Sequence, residues 1–312
     1  MTSAPEEVAD VVVPSGARRP DLRRTVFSSG VAISVAEWGP IEAPPVLFAH
    51  GGFDFAETLN VFAPMLVDAG HRVVSWDQRG HGLSEWTALY SWDADTRDGA
   101  AVLATLGDDP IPLLGHSKGG TLALHLADAL PHRVSHIVNL DGLPSQRNAP
   151  DVADHERSKL LAGELAGWLA HRRSLDGRER KPGTIDGLAR RRGRMNPRLT
   201  HEWLRYLVSI GAREDADGWR WRLDPILRPG GFGPWRPEWS MRRVAALGMP
   251  FLGVLGLELE EMGWGTRPAD VVPYLPPGAR FEALDGVGHF VHIEQPRRIA
   301  DMVLELFAEP SR

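Results

Sequence analysis

Ile111-Pro-Leu-Leu-Gly-His-Ser-Lys-Gly-Gly120 decides how this chain is read. Ile111–Leu114 is too short for a helix and suits a buried strand bounded by a turn. Gly115-His116-Ser117-Lys118-Gly119 follows as a G-x-S-x-G pattern, and an Ala- and Leu-rich stretch then runs from Lys118 to Ala129 with helical composition. A strand that turns sharply into a helix lifts the side chain between them above the end of the sheet. The flanking glycines permit a close backbone approach. Ser117 is therefore the candidate nucleophile. The amide of the next residue, Lys118, is one candidate donor to negative charge developing on a carbonyl oxygen.

Working outward, Val46–Ala49 reads as a second short buried strand and runs into His50-Gly51-Gly52-Phe53. The loop after such a strand supplies the other oxyanion donor, placed at Gly52 with Phe53 as its rival. Arg24–Trp38 reads as two strands turning at Ser29-Gly30. Thr58–Ala69 reads as a helix, Arg72–Trp76 as a strand and Asp93–Leu106 as a helix. Beyond the nucleophile, strands are expected at Val134–Leu140, Pro250–Leu255 and Arg280–Leu284, with a final helix over Pro296–Phe307 that starts on proline. Alternation of this kind predicts an α/β fold, a mostly parallel sheet with helices on both faces.

The alternation breaks between Leu143 and Leu247, where the sequence is rich in Arg and Trp and helical in period. Asp151–Ala170 and Pro197–Ile210 are its clearest helices, and a looser stretch follows over Gly218–Trp239. The expected organisation is a core of 1–142 and 248–312, its first 20 residues flexible, with a helical cap inserted at 143–247. Within the cap, Arg190–Arg198 (RRRGRMNPR) reads as surface or hinge. Trp168, Trp203, Trp219, Trp221, Trp235 and Trp239 give it aromatic area. Phe53, Phe55, Trp235 and Trp264 are the candidate substrate-binding residues, with Gly230–Trp235 as a turned loop over Ser117.

Gly288-His289 after the last strand supplies the candidate general base, with His292 as competitor. The acid that would orient it is Asp141, after Val134–Leu140, or a carboxylate after Pro250–Leu255: Glu258, Glu260 or Glu261. Asp285 is too close along the chain to His289.

The bulk properties bound the function. The 312 residues carry 43% hydrophobic and 24% charged residues, ordinary for a globular protein. With no cysteine there is no disulfide, thiolate nucleophile or Cys-ligated metal. Net charge is −6, yet residues 145–246 hold 21 Lys and Arg against 13 Asp and Glu, a local +8. No nucleic-acid motif accompanies that basicity. The first residues carry acid where a signal peptide carries Lys or Arg, and no run approaches the roughly 18 apolar residues of a membrane span. The expectation is a cytoplasmic protein with no metal, cofactor, nucleic acid or membrane partner.

His50-Gly51-Gly52, Trp76–Ser84 (WDQRGHGLS), Gly115–Gly120 (GHSKGG) and Gly286–Phe290 (GVGHF) together resemble the α/β-hydrolase superfamily over about 25–142 and 248–310. The superfamily's common acid position, in a pattern like P-x-L-x-x-x-G-x-x-D, is matched from Pro250 to Gly256, but Leu259 stands where Asp belongs. Some members carry the acid after the preceding strand, which the resemblance maps to Asp141. A serine nucleophile disfavours dehalogenase and epoxide hydrolase chemistry. The resemblance implies a serine hydrolase of carboxylic esters or lactones, and the aromatic cap points to a moderately large apolar, aromatic or cyclic small-molecule substrate. Carbon–carbon bond hydrolysis, perhydrolysis and a receptor without turnover are the alternatives.

Overall fold

The computed structural model describes residues 11–144, 154–175, 179–227 and 237–310. The chain enters on an antiparallel pair, β1 (Leu22–Ser28) and β2 (Val31–Trp38), turning at Ser29-Gly30 as expected. β3 (Pro45–Ala49), α1 (Ala63–Asp68), β4 (Arg72–Trp76), α2 (Trp92–Ala104), β5 (Ile111–His116), α3 (Lys118–Ala129) and β6 (Val134–Leu140) then alternate. The single helix expected over Thr58–Ala69 is corrected to a 3-10 turn, Ala56–Leu59, followed by α1. Pro64 explains the break. It lacks an N–H to donate into an ongoing helix and suits the first turn of a new one.

An excursion follows: α4 (Asp154–Ser174), α5 (Ile185–Met195), α6 (His201–Gly211), the hairpin β7 (Ala212–Asp215) with β8 (Gly218–Trp221), and α7 (Pro237–Ala245). This insertion is thus not wholly helical, and the looser stretch expected from Gly218 begins with a strand. Thr184 and Thr200 start α5 and α6, accepting from the amides of Gly187 (3.0 Å) and Trp203 (3.1 Å), so the one helix expected over Pro197–Ile210 begins only at His201. The chain returns through β9 (Phe251–Gly256), α8 (Pro268–Val271), β10 (Arg280–Leu284), α9 (Val291–Glu294) and α10 (Pro296–Phe307).

The main sheet has eight strands in the order β1-β2-β4-β3-β5-β6-β9-β10. Only β1 with β2 and β2 with β4 run antiparallel. Side chains alternate across it as the pleat requires. Leu47, Leu113, Ile137 and Phe251 face α2 and α3, whose Val102, Leu122 and Leu126 complete that layer. Val46, Phe48, Val138 and Leu252 face α1 and α10, whose Leu66, Ile299 and Val303 complete the other. Strands buried on both faces read as continuous apolar runs, which is why β3, β5 and β6 stand out in the sequence.

The insertion has its own small core of Leu188, Ala189, Leu204 and Val208, which also receives Phe290 from the main body. Two polar contacts tie it down further: Asn60 Nδ2 donates to Tyr206 Oη at 2.8 Å, and Tyr90 Oη donates to Asp224 Oδ2 at 2.5 Å. Among the described residues no helix is long and apolar enough to cross a membrane.

Candidate active site

Ser117 stands between β5 and α3 with φ +52°, a left-handed conformation that costs a non-glycine residue about 1–2 kcal/mol. Its surroundings enforce it. The Ser117 amide donates to Leu140 O at 2.9 Å, and its carbonyl accepts from Gly120 N at 2.9 Å. A Cβ on Gly115 would overlap the carbonyl of Gly119, and one on Gly142 would overlap the carbonyl of Ser117. The Ser117 hydroxyl caps no amide of the helix that it opens. It accepts instead from Trp264 Nε1 at 3.3 Å.

β6 ends at Asp141, also left-handed at φ +49°. The Asp141 amide donates to Val254 O at 2.8 Å, and its Oδ1 accepts from Gly256 N at 3.2 Å. Its other oxygen lies 2.5 Å from His289 Nδ1, in a site where the two side chains are only 11% and 2% exposed. A carboxylate only accepts, so Nδ1 bears the proton and Nε2 is the basic nitrogen.

The alternative acids do other things. Glu258 is exposed, and its amide donates to Val287 O at 3.0 Å. Glu260 Oε2 accepts the backbone N–H of His289 at 2.6 Å and so holds the loop rather than the ring. A glutamine oxygen accepts equally well. Glu260→Gln is therefore expected to keep kcat on a chromogenic ester within about tenfold of wild type. A larger loss would return Glu260 to the list of acids. His292, the competing base, is buried in α9 with its ring 4.6 Å from that of His116.

The glycine loop closes as a four-residue turn, Asp54 N donating to Gly51 O at 3.3 Å. Its third residue, Phe53, has φ +62°, where glycine is the usual occupant. Both ends of Phe53 are held. Its N–H donates to His81 Nε2 at 3.2 Å, and its carbonyl accepts from Arg192 Nη1 at 3.2 Å. Gly52 lies against Lys118, an added Cβ falling 3.9 Å from Lys118 Cβ, so the two candidate donor residues are neighbours. The Lys118 ammonium is buried 2.8 Å from Asp95 Oδ2 beside the Trp92 ring. Burial pulls the Lys118 pKa down and pushes Asp95 up, each opposed by the other's charge.

Of the residues expected to bind substrate, Trp264 meets Ser117 directly, and Phe53 packs half-buried between the glycine loop and the insertion. Phe55 is 2% exposed, and its ring stacks on Trp221 with centroids 6.0 Å apart. Trp235 and the loop Gly230–Trp235 lie outside the described residues.

Four further histidines surround the site, each 1% exposed or less: His50, His81, His116 and His292. His81 Nδ1 donates to Arg79 O at 2.9 Å, leaving Nε2 to accept from Phe53. His116 Nε2 donates to the His289 carbonyl at 2.9 Å. Burial pulls all four pKa values below 6.5, furthest for His81 and His292. Below pH 6.5 the unfolded chain takes up protons that the folded chain refuses. The full stability is therefore present above about pH 6.5 and falls as pH drops below it, most through the two held furthest down, His81 and His292. Thermal melts from pH 8 to pH 5 check this, and a melting temperature flat between pH 7.5 and 5.5 would refute it.

Arg192, within the stretch expected at surface or hinge, is 7% exposed and donates to Asp54 Oδ1 at 2.9 Å. The only sequence signal for it was the helical period, which sets position 192 on the apolar face of α5 with Leu188 and Ala189. His81 and His116 likewise carried no mark of their roles beyond lying in motifs, and Asp54 lay just outside one.

Comparison with known proteins agrees with this architecture. The thioesterase domain from the curacin biosynthetic pathway superposes with a TM-score of 0.77 at 24% identity, over 91% of this chain and 99% of that one, a likeness of fold. An sn-1-specific diacylglycerol lipase of Mus musculus is 26% identical over 300 residues, 94% of this chain and 89% of its own. A serine hydrolase-like protein of Dictyostelium discoideum is 36% identical over 120 residues, 37% of this chain, and the match spans only 33% of that protein. A family model for the alpha/beta hydrolase fold matches residues 44–219. Because that model spans more than half of the 312 residues, the chain belongs to the α/β-hydrolase family.

Proposed function

We propose that this protein is a serine hydrolase of carboxylic esters or lactones, with Ser117 as nucleophile, His289 as general base and Asp141 as the acid that orients it. The 2.5 Å approach of Asp141 Oδ2 to His289 Nδ1 carries the reading, because it sets the imidazole in the tautomer that can take a proton from serine. Ser117 Oγ attacks the carbonyl carbon while His289 Nε2 accepts its proton. The amides of Gly52 and Lys118 stabilise the oxyanion. Phe53 is the weaker candidate because its N–H is already engaged by His81. His289 then protonates the leaving alkoxide, which departs to give the acyl-enzyme, and later activates a water that releases the acid.

The insertion 143–247 serves as the cap of this site. Trp264 and Phe53 face an apolar or cyclic acyl group, and Trp264 Nε1 holds the Ser117 hydroxyl in the resting site. The esterase and lipase names of several relatives support ester substrates in general.

A panel of p-nitrophenyl esters and larger lactones tests the proposal. Wild type should turn over many times and take a single phosphonate adduct on Ser117. Ser117→Ala should lose both, with activity down at least about 10⁴-fold. Turnover that survives in Ser117→Ala would sink it.

A further inference from the structure

We propose that Arg192 and Arg198 are positioning residues through which the insertion holds the oxyanion loop and the histidine loop in register, so that the insertion helps assemble the active site as well as cover it. This rests on the triad reading above. Both come from Arg190–Arg198, at and just after the end of α5.

Arg192 works on the glycine loop. Its fork reaches two acceptors at once, Phe53 O at 3.2 Å and Asp54 Oδ1 at 2.9 Å. Phe53 follows Gly52 and sits at positive φ, so its peptide planes stay put only while both ends are gripped. Arg192 grips one end and His81 the other. Asp54 is 2% exposed. Burial opposes its charge, but the Arg192 guanidinium 2.9 Å away helps hold its pKa below the usual carboxylate range. Its second oxygen lies 3.7 Å from His116 Nδ1, and His116 in turn donates to the His289 carbonyl. One guanidinium therefore touches the oxyanion loop directly and faces the histidine loop through two buried side chains.

Arg198 works on the histidine loop from outside. Nη2 donates to Gly286 O, and Nε donates to Glu294 Oε2 at 3.0 Å. The other Glu294 oxygen accepts from Gly288 N at 2.9 Å. The backbone on both sides of Val287 is thus fixed from the insertion, at Gly286 and at Gly288, the residue before His289. Only a planar fork spans two acceptors in this way, and arginine alone provides it. A loop that shifts by about 1 Å at a reacting group loses on the order of 100-fold in rate.

The test uses the full chain with Arg198→Ala, Arg198→Lys and Arg192→Lys, and with Arg194→Ala, an exposed arginine of the same stretch, as control. Arg198 is 32% exposed along its side chain, so its removal leaves a folded protein, and Lys keeps a cation beside Asp54 at position 192. Sites are counted by burst titration with a fluorophosphonate and kcat is expressed per titrated site. Expected are a fall of about 10- to 100-fold in kcat for Arg198→Ala and Arg192→Lys, KM within about threefold, a parallel fall in the phosphonate labelling rate, and partial rescue in Arg198→Lys. Arg194→Ala should match wild type. If wild type labels at Ser117 but the arginine variants keep wild-type kcat per site, losing only melting temperature, the arginines are structural and the proposal is overturned while the triad stands. If wild type takes no phosphonate and turns nothing over, the triad reading fails and the brace fails with it.

Discussion

Asp141→Asn is expected to lower kcat by about 10⁴-fold while leaving KM and the melting temperature close to wild type. The reason is a tautomer. Asparagine tolerates the left-handed backbone of this position, and its amide oxygen can still accept from Gly256 N. Its NH₂ then faces His289 Nδ1, where a carboxylate oxygen accepted at 2.5 Å. A donor there obliges Nδ1 to accept, which moves the imidazole proton to Nε2. The ring then offers Ser117 a donor where a base is needed, and nothing stabilises the imidazolium. Steady-state kinetics on the best ester from the panel, with phosphonate labelling, measures this. A loss under tenfold, together with a large loss in Glu260→Gln, would move the orienting role to Glu260.

Gly119→Ala is expected to destabilise the fold by at least about 3 kcal/mol and to lower the melting temperature by about 10 °C. Alanine ordinarily strengthens a helix interior by up to about 1 kcal/mol over glycine. Here the added Cβ would overlap the Ala49 carbonyl and press on that of His50. Both obstacles are backbone, at the last residue of β3 and the first after it, so no side chain can swing aside. The strain must push α3 from the sheet, which would also separate Lys118 from Gly52. Gly163→Ala in α4, where an added Cβ meets nothing within 4 Å, is the matched control and should stabilise slightly. Differential scanning calorimetry compares the two. A Gly119→Ala melt within 2 °C of wild type would show that the close approach is dispensable.

Much of this was legible in the sequence because the sheet is buried on both faces. β3, β5 and β6 announce themselves as apolar runs, and the residue after each is a glycine-loop histidine, the elbow serine or Asp141. Pairing was harder to read. Asp141 and His289 are 148 residues apart, and only the missing Asp at Leu259 pointed to the earlier strand.

What stayed hidden was set by tertiary partners. Arg192 is buried because Asp54, 138 positions away, neutralises it, and no local pattern encodes that. Phe55 stacks on Trp221 of the hairpin, 166 positions away, a pairing that no local pattern encodes. The β7–β8 hairpin escaped because four-residue strands carry little period.

The place of β9 in the sheet has a consequence for how the chain is made. β6 pairs with β5 on one side and with β9 on the other, and Leu140 and Phe251 lie 111 positions apart. At 5–20 residues per second, a ribosome needs roughly 5 to 20 seconds to supply the missing neighbour. Through that interval the apolar strand Val134–Leu140 presents an open edge to other nascent chains. Asp141, whose amide awaits Val254, has no fixed direction until β9 docks. The insertion that braces the finished site therefore also makes its completion a late event and exposes the half-made sheet to aggregation.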